Sequence, residues 1–150
     1  MFLRIKRIVA AAAIATVTST SAIADLAIIV NPDYEDGVLN PQDIKKIFLG
    51  ERRSFPDGLY ATPINHNAGS PDREEFYATV LGMDEDSLLR YWRRQVRTGN
   101  INQPVELGSY DEVLNSVASS TGGISYIDSN LVNSKVKVLM VIDNNGMVVN

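Results

Sequence analysis

Asn65-His66-Asn67-Ala68-Gly69-Ser70-Pro71-Asp72-Arg73-Glu74-Glu75-Phe76 is the stretch whose reading decides the fold. It reads as the end of a strand, a tight loop and the start of a helix. Ser70 is a good N-cap, and Pro71 suits the first helical position, where a missing N–H costs nothing. Gly69 lets the loop backbone approach closely, with no Cβ in the way. A helix start of this kind turns free N–H groups and a positive dipole end outward, a ready place for an anion. The same features also describe a well-capped helix that binds nothing.

Upstream, Leu26-Ala27-Ile28-Ile29-Val30 is a continuous apolar run, read as a strand buried on both faces, as in a parallel sheet. Asn40-Pro41 opens a helix whose core face is Ile44, Ile47 and Phe48, and Gly50 ends it. Leu59 to Asn65 is the next strand. Downstream, the helix after Ser70 runs to about Leu81, with Phe76, Val80 and Leu81 inward and Gly82 as its stop. Asp84 caps a further helix that carries Arg90, Arg93, Arg94 and Arg97. Asp86, Arg90 and Arg94 stand at i, i+4 and i+8 and can pair along a solvated face. The other reading of the arginines is a basic patch that docks or steers an anion.

Thr98-Gly99-Asn100 begins a second glycine-bearing loop that ends near Pro104. Ser109-Tyr110-Asp111-Glu112 is a capping box for a helix with Val113, Leu114, Val117 and Ala118 inward, and Gly122-Gly123 ends it. Ile124–Ile127 and Val136–Ile142 are strands. Asn145-Gly146 makes a turn, from which Met147-Val148-Val149 pairs back as an edge. Strands alternate with helices, which predicts an α/β domain with a mixed, mostly parallel sheet flanked by helices.

The first 24 residues stand apart. Met1 to Arg7 is basic, Ile8 to Val17 is a short apolar run, and Ala22-Ile23-Ala24 is a small-x-small cleavage box. This order is that of a signal peptide cut before Asp25, and the run is too short to persist as a membrane span. The expected location is the periplasm. Residues 25–150 are the expected single domain, with no transmembrane segment after cleavage. The 150-residue chain has formal charge −4, and losing the leader's three basic residues takes it to −7. Nucleic acid is therefore a poor partner. Local N–H dipoles still act on an anion at short range.

Catalytic chemistry finds no footing. The chain has no cysteine, and His66 is its one histidine. Ser70 lies four residues from it without a Gly-x-Ser-x-Gly elbow. There is no Walker loop and no metal-ligand spacing, so neither an enzyme nor a cofactor is expected.

Several blocks, in order, resemble the second lobe of the phosphate-binding proteins of ABC-type uptake systems, in the type II periplasmic binding protein superfamily. They are Leu39-Asn40-Pro41-Gln42-Asp43-Ile44-Lys45-Lys46-Ile47-Phe48-Leu49-Gly50, the Gly69-Ser70 loop with Phe76, Thr98-Gly99-Asn100, and Gly122-Gly123-Ile124-Ser125-Tyr126-Ile127. The resemblance implies a single lobe of a fold that normally has two, binding phosphate or a similar oxyanion and serving an ABC transporter permease. It implies ligand contacts at His66, Gly69, Ser70, Asp72 and Arg73, and at Thr98, Gly99 and Asn100. The family's loop runs approximately Arg-x-Asp-Gly-Ser-Gly-Thr. Here His66 stands at the arginine position, charged only below roughly pH 6.5. Ala68 replaces the acidic residue, and Pro71-Asp72 replaces Gly-Thr, adding a negative charge near the anion. The alternative function is an envelope protein-interaction module that keeps the fold without tight ligand capture. A third reading is a homodimer whose second copy acts as the missing lobe.

Overall fold

The computed structural model describes residues 24–35, 38–100 and 102–149. The leader expected over residues 1–24 lies outside them, apart from Ala24 itself. Six strands form one sheet: β1 (Leu26–Val30), β2 (Thr62–His66), β3 (Val105–Leu107), β4 (Gly123–Asp128), β5 (Lys137–Ile142) and β6 (Val148–Val149). Their order across the sheet is β3-β2-β4-β1-β5-β6. β2 is parallel to β3 and to β4, whereas β1 is antiparallel to both its neighbours and β6 is antiparallel to β5. The sheet is therefore mixed, and β2, β3, β4 and β5 share one direction.

β1 is buried along its whole length, as its unbroken apolar run predicts. The cause is its central position and not parallel pairing, because both neighbours run against it. Its side chains alternate between two cores. Leu26, Ile28 and Val30 join the larger one, beneath α1 (Pro41–Phe48), α2 (Pro71–Phe76) and α3 (Glu85–Arg97). Ala27 and Ile29 join the smaller one, beneath α4 (Tyr110–Ser119).

Local sequence explains the helix ends. Asn40 caps α1 reciprocally with Asp43, Ser109 caps α4 reciprocally with Glu112, and the Asp84 carboxylate accepts from the Ser87 N–H. α2 passes directly into a π-helical turn at Tyr77–Leu81, which Gly82 ends at φ 64°. The turn buries Tyr77 with Val80 and Leu81. Gly122 and Gly123 are more than a helix end. A Cβ on Gly122 would lie 1.9 Å from the Tyr60 carbonyl oxygen, and one on Gly123 would lie 2.9 Å from the Val117 Cα. Only glycine lets β4 start this close to the segment entering β2. Among the described residues no helix is long and apolar enough to cross a membrane.

One strand is added and one expectation is corrected. The segment after Pro104 contains β3, a strand of three residues too short to show a period, created by its pairing with β2. The surface pairing of Asp86 with Arg90 and Arg94 does not form; Arg90 donates instead to the Ser87 hydroxyl at 2.9 Å.

Candidate functional site

β2 and β3 run parallel, so the loops leaving their C-terminal ends lie side by side. One is the Gly69-Ser70 turn into α2, the other the Gly108-Ser109 turn into α4. In α/β sheets such an edge is where ligands are received. A cavity of about 380 Å³ opens there. His66, Asn67, Ser70 and Pro71 form one wall, and Gly108, Ser109 and Tyr110 the other.

Ser70 is the N-cap of α2 by backbone geometry, but its hydroxyl makes no capping bond. The hydroxyl is buried and has no hydrogen bond of ordinary geometry, with the Tyr110 phenol beside it. Gly69 adopts φ 85°, yet a Cβ there would meet nothing within 4 Å. Left-handed backbone, not close approach, is therefore what requires glycine at this position.

The charged groups are arranged otherwise than the loop sequence suggests. Arg73 is 5% exposed. Its Nε and Nη2 donate to the two carboxylate oxygens of Glu85, and its Nη1 donates to Glu106 Oε1 at 2.8 Å and to the His66 carbonyl at 2.7 Å. Burial alone would lower its pKa, but the bonds to Glu85 and Glu106 raise it further, and Arg73 stays charged. Its charge is spent on two carboxylates of this chain. Asp72 is also buried, its Oδ2 accepting from the Asp128 N–H at 2.7 Å and its Oδ1 from the Tyr110 hydroxyl at 3.3 Å. Asp72 thereby ties the start of α2 to the end of β4 and the start of α4. On the opposite wall, Glu112 Oε2 accepts from the N–H groups of Gly108 and Ser109 at 2.9 and 3.0 Å.

His66 is 3% exposed, with Nε2 2.6 Å from the Tyr126 carbonyl oxygen. That contact sets Nε2 as the protonated nitrogen of the neutral ring. Burial pulls its pKa below the usual histidine value, outweighing the raising effects of the Tyr126 carbonyl and Asp72. His66 is thus a neutral polar wall. The same burial raises the pKa of Tyr126, whose ring stacks on Phe76 at 3.9 Å and whose hydroxyl donates to Asn65. Asn65 in turn donates to the Tyr77 hydroxyl at 2.7 Å. Among the described residues no lysine or arginine lines the cavity, so the donors they offer an anion are hydroxyls and amides.

Thr98, Gly99 and Asn100 sit elsewhere, as the C-terminal cap of α3. Gly99 has φ 85°, the N–H groups of Gly99 and Asn100 close onto Val96 and Gln95, and the Asn100 amide bonds to Gln95 and Asn102. The structure brings His66 and Ser70 onto one cavity, with Gly69 in its loop and Asp72 and Arg73 just behind. It does not bring Thr98–Asn100 to that cavity. Sequence reading missed Ser109 and Tyr110 on its wall, and Glu85 and Glu106 as the partners of Arg73. The Ser109 capping box was a visible signal, but nothing local placed it beside Ser70. Among the described residues no group of three or more His, Asp or Glu is set to hold a metal.

No protein-family model and no curated protein sequence matches the chain. Solved structures do. A Clostridium perfringens protein described as a phosphate ABC transporter substrate-binding protein, solved with bound phosphate, matches with TM-score 0.62 and 19% identity over 79% of this chain and 46% of its own. An ABC-type phosphate transport receptor from Vibrio cholerae matches with TM-score 0.62 and 17% identity over 79% and 47%. PstS from Borrelia burgdorferi matches with TM-score 0.53 and 15% identity over 71% and 41%. The chain thus spans less than half of each protein, and its fold is that of the substrate-binding proteins of phosphate ABC transport.

Proposed function

We propose that the chain is an exported, periplasmic solute-binding-like domain, residues 25–150, that holds phosphate or a similar small oxyanion in the cavity between Ser70 and Ser109. The observation that carries this reading is the buried Ser70 hydroxyl, without a hydrogen bond of ordinary geometry, on a cavity at the C-terminal edge of parallel strands. The fold's likeness to phosphate-transport proteins supports the choice of ligand class. A partner permease of an ABC transporter follows from the same likeness. A binding role and not a catalytic one is supported by the structures it resembles, described as a substrate-binding protein and a transport receptor.

Charge sets the affinity. Arg73 is held by Glu85 and Glu106, His66 stays neutral, and Asp72 lies close behind the loop. Neutral donors contribute about 0.5–1.5 kcal/mol each. Three or four of them give a Kd of about 1 mM, corresponding to roughly 4 kcal/mol. Calorimetric titration with phosphate, with sulfate as control, tests the reading. Saturable binding near that level, weakened about fivefold or more by Ser70→Ala, is expected. No saturation at about 20 mM, well above that Kd, or an unchanged Ser70→Ala titration removes the site. Lower pH brings no gain through His66, since burial disfavours its charged form.

The same charge arrangement favours a second reading, an envelope protein-interaction module that keeps the fold without tight ligand capture. Carboxylates of this chain already occupy Arg73 and the Gly108 and Ser109 amides.

A further inference from the structure

We infer that the open groove between α3 and the free edge of β3 docks an extended, acidic segment of a partner protein. This goes beyond oxyanion binding, gives the interaction-module reading a surface, and stands if phosphate binding fails.

The groove is about 400 Å³. One wall is a single stripe of α3. Leu88, Leu89, Trp92, Arg93, Val96 and Arg97 all line it, at the three- and four-residue spacing of one helix face. Such a stripe ordinarily lies against the protein's own core. Here Leu88 and Trp92 do so, at 6% and 8% exposure, but Leu89 and Val96 remain 51% and 47% exposed. The apolar face is wider than the core that covers it.

The other wall is Pro104 and β3. β3 ends the sheet and pairs only with β2 among the described residues, and its Glu106, with a side chain 52% exposed, is the strand residue that lines the groove. An edge strand beside an apolar groove accepts an added strand through its main chain, while the groove takes alternate side chains.

The charge of the occupant follows from α3. Arg93 and Arg97 stand on the groove, and Arg90 and Arg94 lie beside them on the same helix. None of the four forms an ion pair with a described residue. Glu85 and Glu106 also line the groove and share the single charge of Arg73, so with Arg93 and Arg97 the groove's own charged residues sum to +1. Four unpaired arginines on a chain of net charge −4 leave this face basic and select carboxylates, which arginine binds in bidentate fashion. A second copy is the poorer occupant. No strand among the described residues carries more than one carboxylate, so none of these strands suits a basic groove on a second copy.

Trp92 is the chain's one tryptophan, so its emission reports on the groove. The probe is a labelled peptide alternating glutamate and valine over about eight residues, a usual strand length. Its counterpart has lysine for glutamate. The expected result on the purified protein is a saturable rise in anisotropy with a shift in Trp92 emission. Binding is at least tenfold weaker for the lysine peptide and for the Arg93→Glu/Arg97→Glu double variant, whose melting confirms that it is folded. Amide exchange at Val105–Leu107 slows on binding. Equal binding of both peptides, an unaffected double variant or unchanged exchange in β3 overturns the proposal. So does a dimer in sedimentation that already covers Trp92.

Discussion

Arg73→Leu tests whether the cation at the loop is structural. Leucine keeps much of the apolar stem's packing and removes every polar contact of the guanidinium. The two carboxylates it releases matter little: their side chains are 48% and 52% exposed and rehydrate in place, so each pair contributes about 0–1 kcal/mol. The bond to the His66 carbonyl at 2.7 Å is buried, and a charged donor there contributes about 1.5–3 kcal/mol. The Tyr77 ring 5.0 Å from the guanidinium adds about 0.5–1 kcal/mol. The expected loss is about 3 kcal/mol, or roughly a 10 °C fall in Tm for a domain of this size. Urea unfolding followed by Trp92 fluorescence measures it, with the m-value unchanged. Glu106→Gln, which removes one exposed pair, costs under about 1 kcal/mol. A loss below about 1 kcal/mol for Arg73→Leu, or an equal loss for Glu106→Gln, refutes the assignment of Arg73 to the fold.

Two further outcomes follow from burial and close approach. His66 has its pKa lowered in the folded state, so below about pH 6.5 the unfolded chain takes up a proton that the folded chain resists. Stability therefore falls as pH drops from 6.5 toward the folded pKa, by up to about 1.4 kcal/mol per pH unit. His66→Gln flattens that part of the profile in urea titrations at pH 5 to 7, and an unaltered slope excludes His66 as the cause. Gly122→Ala drives a Cβ to 1.9 Å from the Tyr60 carbonyl oxygen and costs about 3 kcal/mol or more, read by thermal melting. A melting point within a few degrees of the parent shows that β4 and the Tyr60 segment separate freely.

The α/β alternation, the capping boxes at Asn40 and Ser109 and the buried run of β1 were legible because each rests on residues within one turn or one strand. β3 was not, because three residues carry no period and its existence depends on β2 forty residues earlier. The direction of β1 relative to its neighbours was not legible either. A strand covered on both faces reads as the same apolar run whether its neighbours are parallel or antiparallel.

At the candidate site the division is sharper. The residues of the Gly69-Ser70 loop and its backbone shape follow from the order Gly-Ser-Pro, whose φ preferences are local. The charge state of the loop does not follow from it. Arg73 reads as a free cation until tertiary folding sets Glu85 and Glu106 against it, and His66 reads as titratable until Tyr126 and the sheet bury it. Asp72 reads as a charge repelling an anion until the Asp128 amide and the Tyr110 hydroxyl meet it. Sequence by itself determined which groups are present and how each helix begins, because backbone preference acts over a few residues. Only the tertiary structure decided which of those groups remain open to a ligand, because desolvation and ion pairing depend on neighbours brought from distant parts of the chain.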